Sequence, residues 1–373
     1  MTRTTIEVEG LRDLLDQGQP VTVLDIRRSA ERAEWAIPGS VHVDAYDTLN
    51  ADDPNALADV DLPREGPVVA VCGAGKTSVI AAEQLRARGF QALSLAGGMK
   101  AWSLAWNTAE VEIPGTEVDM GAEIVQIRRT GKACLSYLIG SGSEAAVIDA
   151  AVDPEVYLGL AEERGWKIIH ILDTHVHADH LSRSGMLADL AGAGLYMPEG
   201  APVAYPFFAL DDGDEIRISA ARLEALRTPG HTAESTSYLM NGKALFTGDT
   251  LFLSAVGRPD LEASLDRPHE KARVLHGSLS RVLGLDPETL VLPGHTSEPV
   301  SFDGEPIVAA LSEVQESIAL LHEDEDTFVE KLAEHASPTP ENYQRIVELN
   351  RSGETPEGDP TDLEIGANRC AAG

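Results

Sequence analysis

Residues 174–180 read Thr174-His175-Val176-His177-Ala178-Asp179-His180, directly behind the apolar run Lys167-Ile168-Ile169-His170-Ile171-Leu172. That run has the length and β-branched content of a buried strand, so the histidines fall just past its end. Strand alternation predicts that His175 and His177 point to the same side, while Asp179 and His180 turn back from the next loop, so that four metal-capable groups converge. Three later segments each put one more such group behind a strand: Thr228-Pro229-Gly230-His231-Thr232, Thr247-Gly248-Asp249-Thr250 and Pro293-Gly294-His295. Seven ligands at strand ends suit a rigid, pre-formed metal site. His42, His170, His269, His276, His322 and His335 lack such a setting and read as ordinary surface or core residues.

The order and spacing of these seven residues resemble the metallo-β-lactamase fold over residues 118–305. The resemblance implies two β-sheets sandwiched between helices, an αββα arrangement, with the metal at one edge. Binuclear zinc members of that fold use all seven positions. Its persulfide dioxygenases hold one ferrous iron with two histidines and one aspartate, which by the match are His175, His231 and Asp249. His177, Asp179, His180 and His295 are then left to a second metal or to the support of the first. Such a site keeps coordination positions open for dioxygen and a sulfur substrate. Val256-Gly257-Arg258-Pro259-Asp260-Leu261 looks like the Gly-Arg-x-Asp segment of persulfide dioxygenases, whereas thiolester hydrolases of the glyoxalase II type usually carry Gly-Arg-x-Phe-Glu. On this resemblance Arg258 contacts the thiol cosubstrate; the alternative is a surface salt bridge. Residues 306–373 form a helical extension and irregular tail, packed on or trailing from this domain. Ile307, Leu311, Val314, Ile318 and Leu321 keep a helical spacing, and the run Pro340 to Asn350 is familiar from rhodanese-fused members.

Residues 1–112 alternate short strands and helices, as a small parallel α/β domain does. The strand Gly66 to Val71 leads into Cys72-Gly73-Ala74-Gly75-Lys76-Thr77-Ser78 and a helix that stops at Gly89; a third strand, Gln91 to Leu95, ends in Gly97-Gly98-Met99-Lys100-Ala101-Trp102. A cysteine behind a strand, in a loop that opens a helix, sits among backbone N–H groups at a positive dipole end, which stabilises a thiolate. Lys76 adds a cation, and the same N–H groups would hold a persulfide, sulfite or thiosulfate. The alternative is a small cysteine that only packs. The ordered set Asp25-Ile26-Arg27, Ile37-Pro38-Gly39-Ser40, Cys72 to Ser78 and Gly97 to Trp102 resembles the rhodanese family. It implies a parallel sheet flanked by helices, with Cys72 carrying sulfane sulfur and residues Gly73, Ala74, Gly75, Lys76, Thr77 and Ser78 as its anion cradle. Many rhodaneses carry arginine where Lys76 or Thr77 stands. A phosphate-loop reading of Ala70 to Thr77 is weaker, because its first glycine is missing. Thr108 to Thr116, broken by Pro114-Gly115, reads as a linker.

Sixty-one acidic and 29 basic residues leave a formal charge of -32, which repels nucleic-acid phosphates and anionic membranes. Only seven of the basic residues are lysine. Either the chain is simply acidic, or it works in salt concentrated enough to screen its self-repulsion. Without a long apolar run or a signal-like start, no membrane association is expected and the expected compartment is the cytoplasm. Three scattered cysteines make no disulfide framework. Cys134 reads as a packed core thiol, and Cys370-Ala371-Ala372-Gly373 as a chance likeness to a prenylation box.

Together these readings predict a sulfur enzyme. One Fe(2+) per chain would oxidise a small-molecule thiol persulfide with dioxygen, and Cys72 would pass sulfane sulfur between persulfide, sulfite and thiosulfate, with a homodimer as the admitted assembly. The alternatives are a thiolester hydrolase with two Zn2+ and a persulfide carrier or sensor.

Overall fold

Short β-branched runs bury best as strands, and the described residues hold twenty strands. The computed structural model describes residues 4–113, 121–259, 268–296, 300–334, 342–366 and 370–372. Pro114, Gly115, Thr116, Asp260, Leu261, His335, Pro340, Glu341 and Gly373, which the sequence reading singled out, lie outside the described residues.

Strands β1 (Thr5–Ile6), β2 (Thr22–Asp25), β3 (Val41–His42), β4 (Val68–Val71) and β5 (Ala92–Leu95) form a five-stranded parallel sheet in the order β1-β5-β4-β2-β3. Each interior strand is apolar on both faces because helices cover both sides, as parallel sheets require.

A second sheet of seven strands comprises β6 (Asn107–Val111), β7 (Ala122–Arg129), β8 (Cys134–Ser141), β9 (Glu144–Ile148), β10 (Lys167–Leu172), β11 (Gly194–Pro198) and β12 (Phe208–Leu210), paired in sequence order. The third has six strands: β13 (Glu215–Ile218), β14 (Ala221–Arg227), β15 (Thr236–Met240), β16 (Ala244–Gly248), then β18 (Leu290–Pro293) and β19 (Ala309–Ala310). A separate pair joins β17 (Val256–Gly257) to β20 (Ala371–Ala372) near the end of the chain.

Leu135, Tyr137 and Ile139 of β8 face Tyr238, Phe246 and Leu292 of the third sheet in one core, while Leu138 faces outward onto the helix Pro154–Glu163. The third sheet is covered by the helices Pro268–Val282, Leu311–Ser317 and Glu325–Glu334. The result is the expected αββα sandwich.

One boundary differs from the sequence reading. Residues 108–111 are not linker, nor part of the first domain. They lie in β6, which pairs antiparallel with β7 because Asn107, Ala109 and Val111 alternate inward. The change of sheet therefore falls between Trp102 and Asn107. The extension is helical as expected: among its described residues a short strand leads into the helices Leu311–Ser317, Glu325–Glu334 and Tyr343–Ser352, with a 3-10 turn at Ala319–His322. No helix among the described residues is long and apolar enough to cross a membrane.

Candidate metal centre and cysteine loop

Past Leu172 the backbone leaves the strand, and the alternation expected for residues 174–180 ends with it. His175 and His177 stay neighbours, with ring centroids 4.4 Å apart, but turn to different partners. Nε2 of His175 lies 3.9 Å from Asp249 Oδ2, and Nε2 of His231 lies 3.5 Å from the same oxygen. One donor atom from each of these three buried residues falls within 4.8 Å of the others. His177 instead turns its Nε2 to Asp149 Oδ1 at 3.3 Å and Asp173 Oδ1 at 3.9 Å. The groups of the 175–180 segment thus lie close together but divide between different partners rather than meeting on one point.

The three-donor set is tuned for a cation. Thr174 Oγ1 donates to Asp149 Oδ2 at 2.9 Å and so accepts from Nδ1 of His175 at 2.9 Å. The carbonyl of Arg258 accepts from Nδ1 of His231 at 2.9 Å. Both rings therefore present the lone pair of Nε2, the tautomer a metal needs. Burial, with the neighbouring His177, pushes His175 well below the usual histidine range and keeps it neutral. Burial opposes ionisation of Asp249, but His295, His175 and His231 outweigh it and hold the carboxylate well below its usual range. Nε2 of His175 and Oδ2 of Asp249 are buried with no hydrogen-bond partner among the described residues. Orphaned buried acceptors are costly unless something binds them, so the residues present fit a metal ion. Close packing sets the glycine before Asp249: a Cβ at Gly248, where φ is +51°, would stand 2.4 Å from Thr174 Oγ1.

Asp179, His180 and His295 form a second cluster with Cys134. Its atoms bind one another: His180 Nδ1 donates to Asp179 Oδ1 at 3.0 Å, His295 Nε2 to Asp179 Oδ2 at 2.9 Å, and Cys134 Sγ to that same oxygen at 3.2 Å. His295 Nδ1 also reaches Asp249 Oδ1 at 2.5 Å. Burial alone would lower the His295 pKa, but the two carboxylates raise it well above the usual range, so His295 is a cation clamped between Asp179 and Asp249. The packed-core reading of Cys134 is corrected: its thiol is a polar member of this network. Arg258 is not at the surface either. It is 2% exposed and acts on the site through its carbonyl.

Sequence reading missed the residues that hold this loop from behind. Asn350, on the helix Tyr343–Ser352, donates to the carbonyls of His177 and His180 at 2.8 Å each and accepts from the N–H of Ser182 at 2.9 Å. Glu364, 0% exposed, accepts from the N–H of Leu181 at 2.9 Å, from Arg183 at 2.8 Å and from Arg129 at 3.0 Å. The last segment is packed, not trailing.

Burial opposes ionisation of Glu364, but Arg129 and Arg183 hold its pKa down to about 2, against a usual value of 4.5. The charged pair therefore stabilises the fold above pH ~4.5, by roughly 3 kcal/mol from that shift, and the contribution drains away as pH falls toward 2. Glu364→Gln should cost about 3–5 kcal/mol at pH 7, because it leaves the Arg129 cation buried without its counter-charge. Urea unfolding of both chains measures this; a loss below about 1 kcal/mol would show that the brace is not structural.

The cysteine loop is built in the same close-packed way. Cys72 is 2% exposed, and its Sγ accepts from the N–H of Ser78 at 3.4 Å, in the first turn of the helix Thr77–Ala87. The N–H groups of Met99 and Lys100 donate to the carbonyls of Cys72 and Gly73 at 2.9 Å each. A Cβ at Gly98, where φ is +60°, would stand 2.2 Å from the carbonyl oxygen of Cys72. Gly97-Gly98-Met99 is thus the seat of the loop. Lys76 is exposed just ahead of the helix, and the Thr77 hydroxyl is turned to Asn50 at 3.1 Å. Buried Arg27 and Asp25 pair at 2.7 Å, and Arg27 also reaches the carbonyl of Trp35 at 2.7 Å, which accounts for the Asp-Ile-Arg motif.

A parallel α/β domain with a cysteine at a helix N-terminus, joined to an αββα sandwich with a buried donor set, defines a two-domain protein of sulfurtransferase-like and metal-binding type. The profile of the metallo-beta-lactamase superfamily matches residues 129–295, and that of the rhodanese-like domain residues 7–105. The "Hydroxyacylglutathione hydrolase" of Methylococcus capsulatus is 33% identical over 54% of this chain and 78% of its own length. The "Persulfide dioxygenase ETHE1, mitochondrial" of Homo sapiens is 29% identical over 43% of this chain and 63% of its own. The crystal structure of ETHE1 from Myxococcus xanthus superposes with a TM-score of 0.55 at 29% identity, covering 62% of this chain and 98% of that one. The chain spans between 56% and 78% of the length of these first curated relatives. It belongs to the metallo-beta-lactamase superfamily and carries a rhodanese-like domain ahead of the metal-binding one.

Proposed function

We propose that this chain oxidises a low-molecular-weight thiol persulfide to sulfite with dioxygen at one iron held by His175, His231 and Asp249, and transfers sulfane sulfur through Cys72. One observation carries the reading: His175, His231 and Asp249 converge with His175 Nε2 and Asp249 Oδ2 unspent, while Asp179 is already bonded to both His180 and His295. Iron in a two-histidine, one-carboxylate site supplies open positions for dioxygen and a sulfur donor.

The chain's residues do the rest. Thr174 and the Arg258 carbonyl keep the two rings aimed at the site. Burial of all three donors keeps bulk water from competing. The overall change balances as RSSH plus O2 plus H2O giving RSH and H2SO3, with four electrons passing from the outer sulfur to dioxygen. In the other domain a Cys72 thiolate attacks the outer sulfur of a persulfide or thiosulfate; an S–S bond forms as the old one breaks, and thiolate or sulfite leaves.

The hydrolase reading has its own support, since every residue of a second site is present and buried and the hydrolase relatives are as similar as the dioxygenases. Metal analysis with oxygen uptake decides between them. The expected result is about one iron per chain and dioxygen consumption with glutathione persulfide. Two zincs and hydrolysis of a glutathione thiolester, without oxygen uptake, would replace the proposal by the hydrolase.

A further inference from the structure

Strand β5 carries one hydroxyl into an apolar layer of the first domain. Alternation puts Ser94 on the same face as Ala92, and its neighbour across the sheet is Ala70 of β4, the strand that leads into Cys72. Ala70, Cys72 and Ala92 share one core with Ala81, Ala82 and Leu85 of the helix Thr77–Ala87. Ser94 is 0% exposed, and a hydroxyl buried in such surroundings is costly unless it is bonded.

Among the described residues that hydroxyl has one partner, and the partner leads to the cysteine. Ser94 Oγ lies 2.8 Å from Ser78 Oγ, which lies 3.4 Å from Cys72 Sγ. Ser78 is itself buried, and its N–H already donates to the same sulfur. The three side chains therefore form a row with two links. A sulfur without hydrogen, as in a thiolate or the inner sulfur of a persulfide, leaves two hydroxyl hydrogens for two links: Ser94 donates to Ser78, and Ser78 donates to Cys72. A thiol brings a third hydrogen that the row cannot seat. Linked hydrogen bonds polarise one another, so the lower bond strengthens the upper one.

We propose that Ser94 is a positioning residue for sulfur transfer: from β5, behind the loop, it aims the Ser78 hydroxyl at Cys72 and so stabilises the hydrogen-free sulfur before and after the transfer. Buried behind the cysteine, it is out of reach of the incoming donor and acts on the step rather than on donor binding. In that step the Cys72 thiolate takes the outer sulfur, the S–S bond of the donor breaks as the new one forms, and thiolate or sulfite leaves. The inference rests on the proposed transfer through Cys72.

Steady-state kinetics of the full chain, with thiosulfate as donor and cyanide as acceptor, test it. Ser78→Ala is expected to lower kcat on the order of tenfold, the worth of a bond to a charged group, and Ser94→Ala by less, the worth of a neutral one. KM for thiosulfate should not change in Ser94→Ala. The deciding chain carries both substitutions: because Ser94 works only through Ser78, the double variant should be no slower than Ser78→Ala. Alanine suits both the apolar layer and the helix, so all three variants should keep the native circular dichroism. Native kcat in Ser94→Ala, or a loss confined to KM, overturns the proposal. So does a double variant slower than Ser78→Ala by the full Ser94→Ala factor, which would make Ser94 a packing residue that acts by itself. If the native chain takes sulfur from neither thiosulfate nor glutathione persulfide, the sulfur-transfer reading falls and this inference falls with it. Transfer that is indifferent to Ser94 removes the inference alone.

Discussion

Asp249→Ala is expected to empty the metal centre and abolish persulfide-dependent oxygen uptake while thiosulfate sulfurtransferase activity survives. Three side chains converge on the site, and this is the only carboxylate among them. Losing a residue that merely bonds to a ligand costs roughly 10–100-fold in metal affinity, so losing a ligand should cost more than about 100-fold. His231→Ala should behave alike, since it removes one of the two imidazoles. Asp249→Asn checks that the effect is charge and not shape: it keeps the volume but cannot hold His295 in its cationic clamp. Metal content after dialysis, measured beside oxygen uptake, decides the matter. A variant of Asp249 or His231 with full iron and full activity would sink the three-donor assignment.

Cys72→Ser should do the reverse. The hydroxyl is a poor acceptor of sulfane sulfur near neutral pH, while the loop stays seated by the Met99 and Lys100 N–H bonds to backbone carbonyls, which the substitution does not touch. Sulfurtransferase turnover should fall to background with oxygen uptake unchanged. If oxygen uptake also stopped with iron still bound, sulfur would be reaching the metal only through Cys72, and two independent sites would give way to an obligate relay.

The two sites are mechanically connected whichever result is found. Lys100, in the motif that seats the cysteine loop, pairs with Asp359 at 2.9 Å and also with Asp362, and Glu364 two residues on braces the metal loop. Arg129 reaches both the carbonyl of Ser103, at the end of the first domain, and Glu364. The terminal segment runs between the two centres.

Much of this is legible in the chain because the signals are local. A strand, a cysteine loop and a helix follow one another within about 25 residues, so the residue types themselves state the geometry, and the short segments carrying His231, Asp249 and His295 each fall at a strand end. The sequence by itself therefore determined the pairing of a rhodanese-like with a metallo-beta-lactamase domain and the αββα class, and it nominated the candidate donors. It does not say that His177 turns to Asp149 and Asp173, since alternation holds only while the backbone is a strand. It also misjudges Cys134, because a cysteine's type does not say whether its neighbours will be leucines or carboxylates.

Which donors share a point, and what holds them, was decided only by tertiary structure. Asn350 bonds to Ser182 across 168 residues and Glu364 to Leu181 across 183. Side-chain bonds to distant backbone follow no spacing rule, so no pattern in the chain announces them. They exist only once the sheets have packed and the last segment has folded back behind the metal loop.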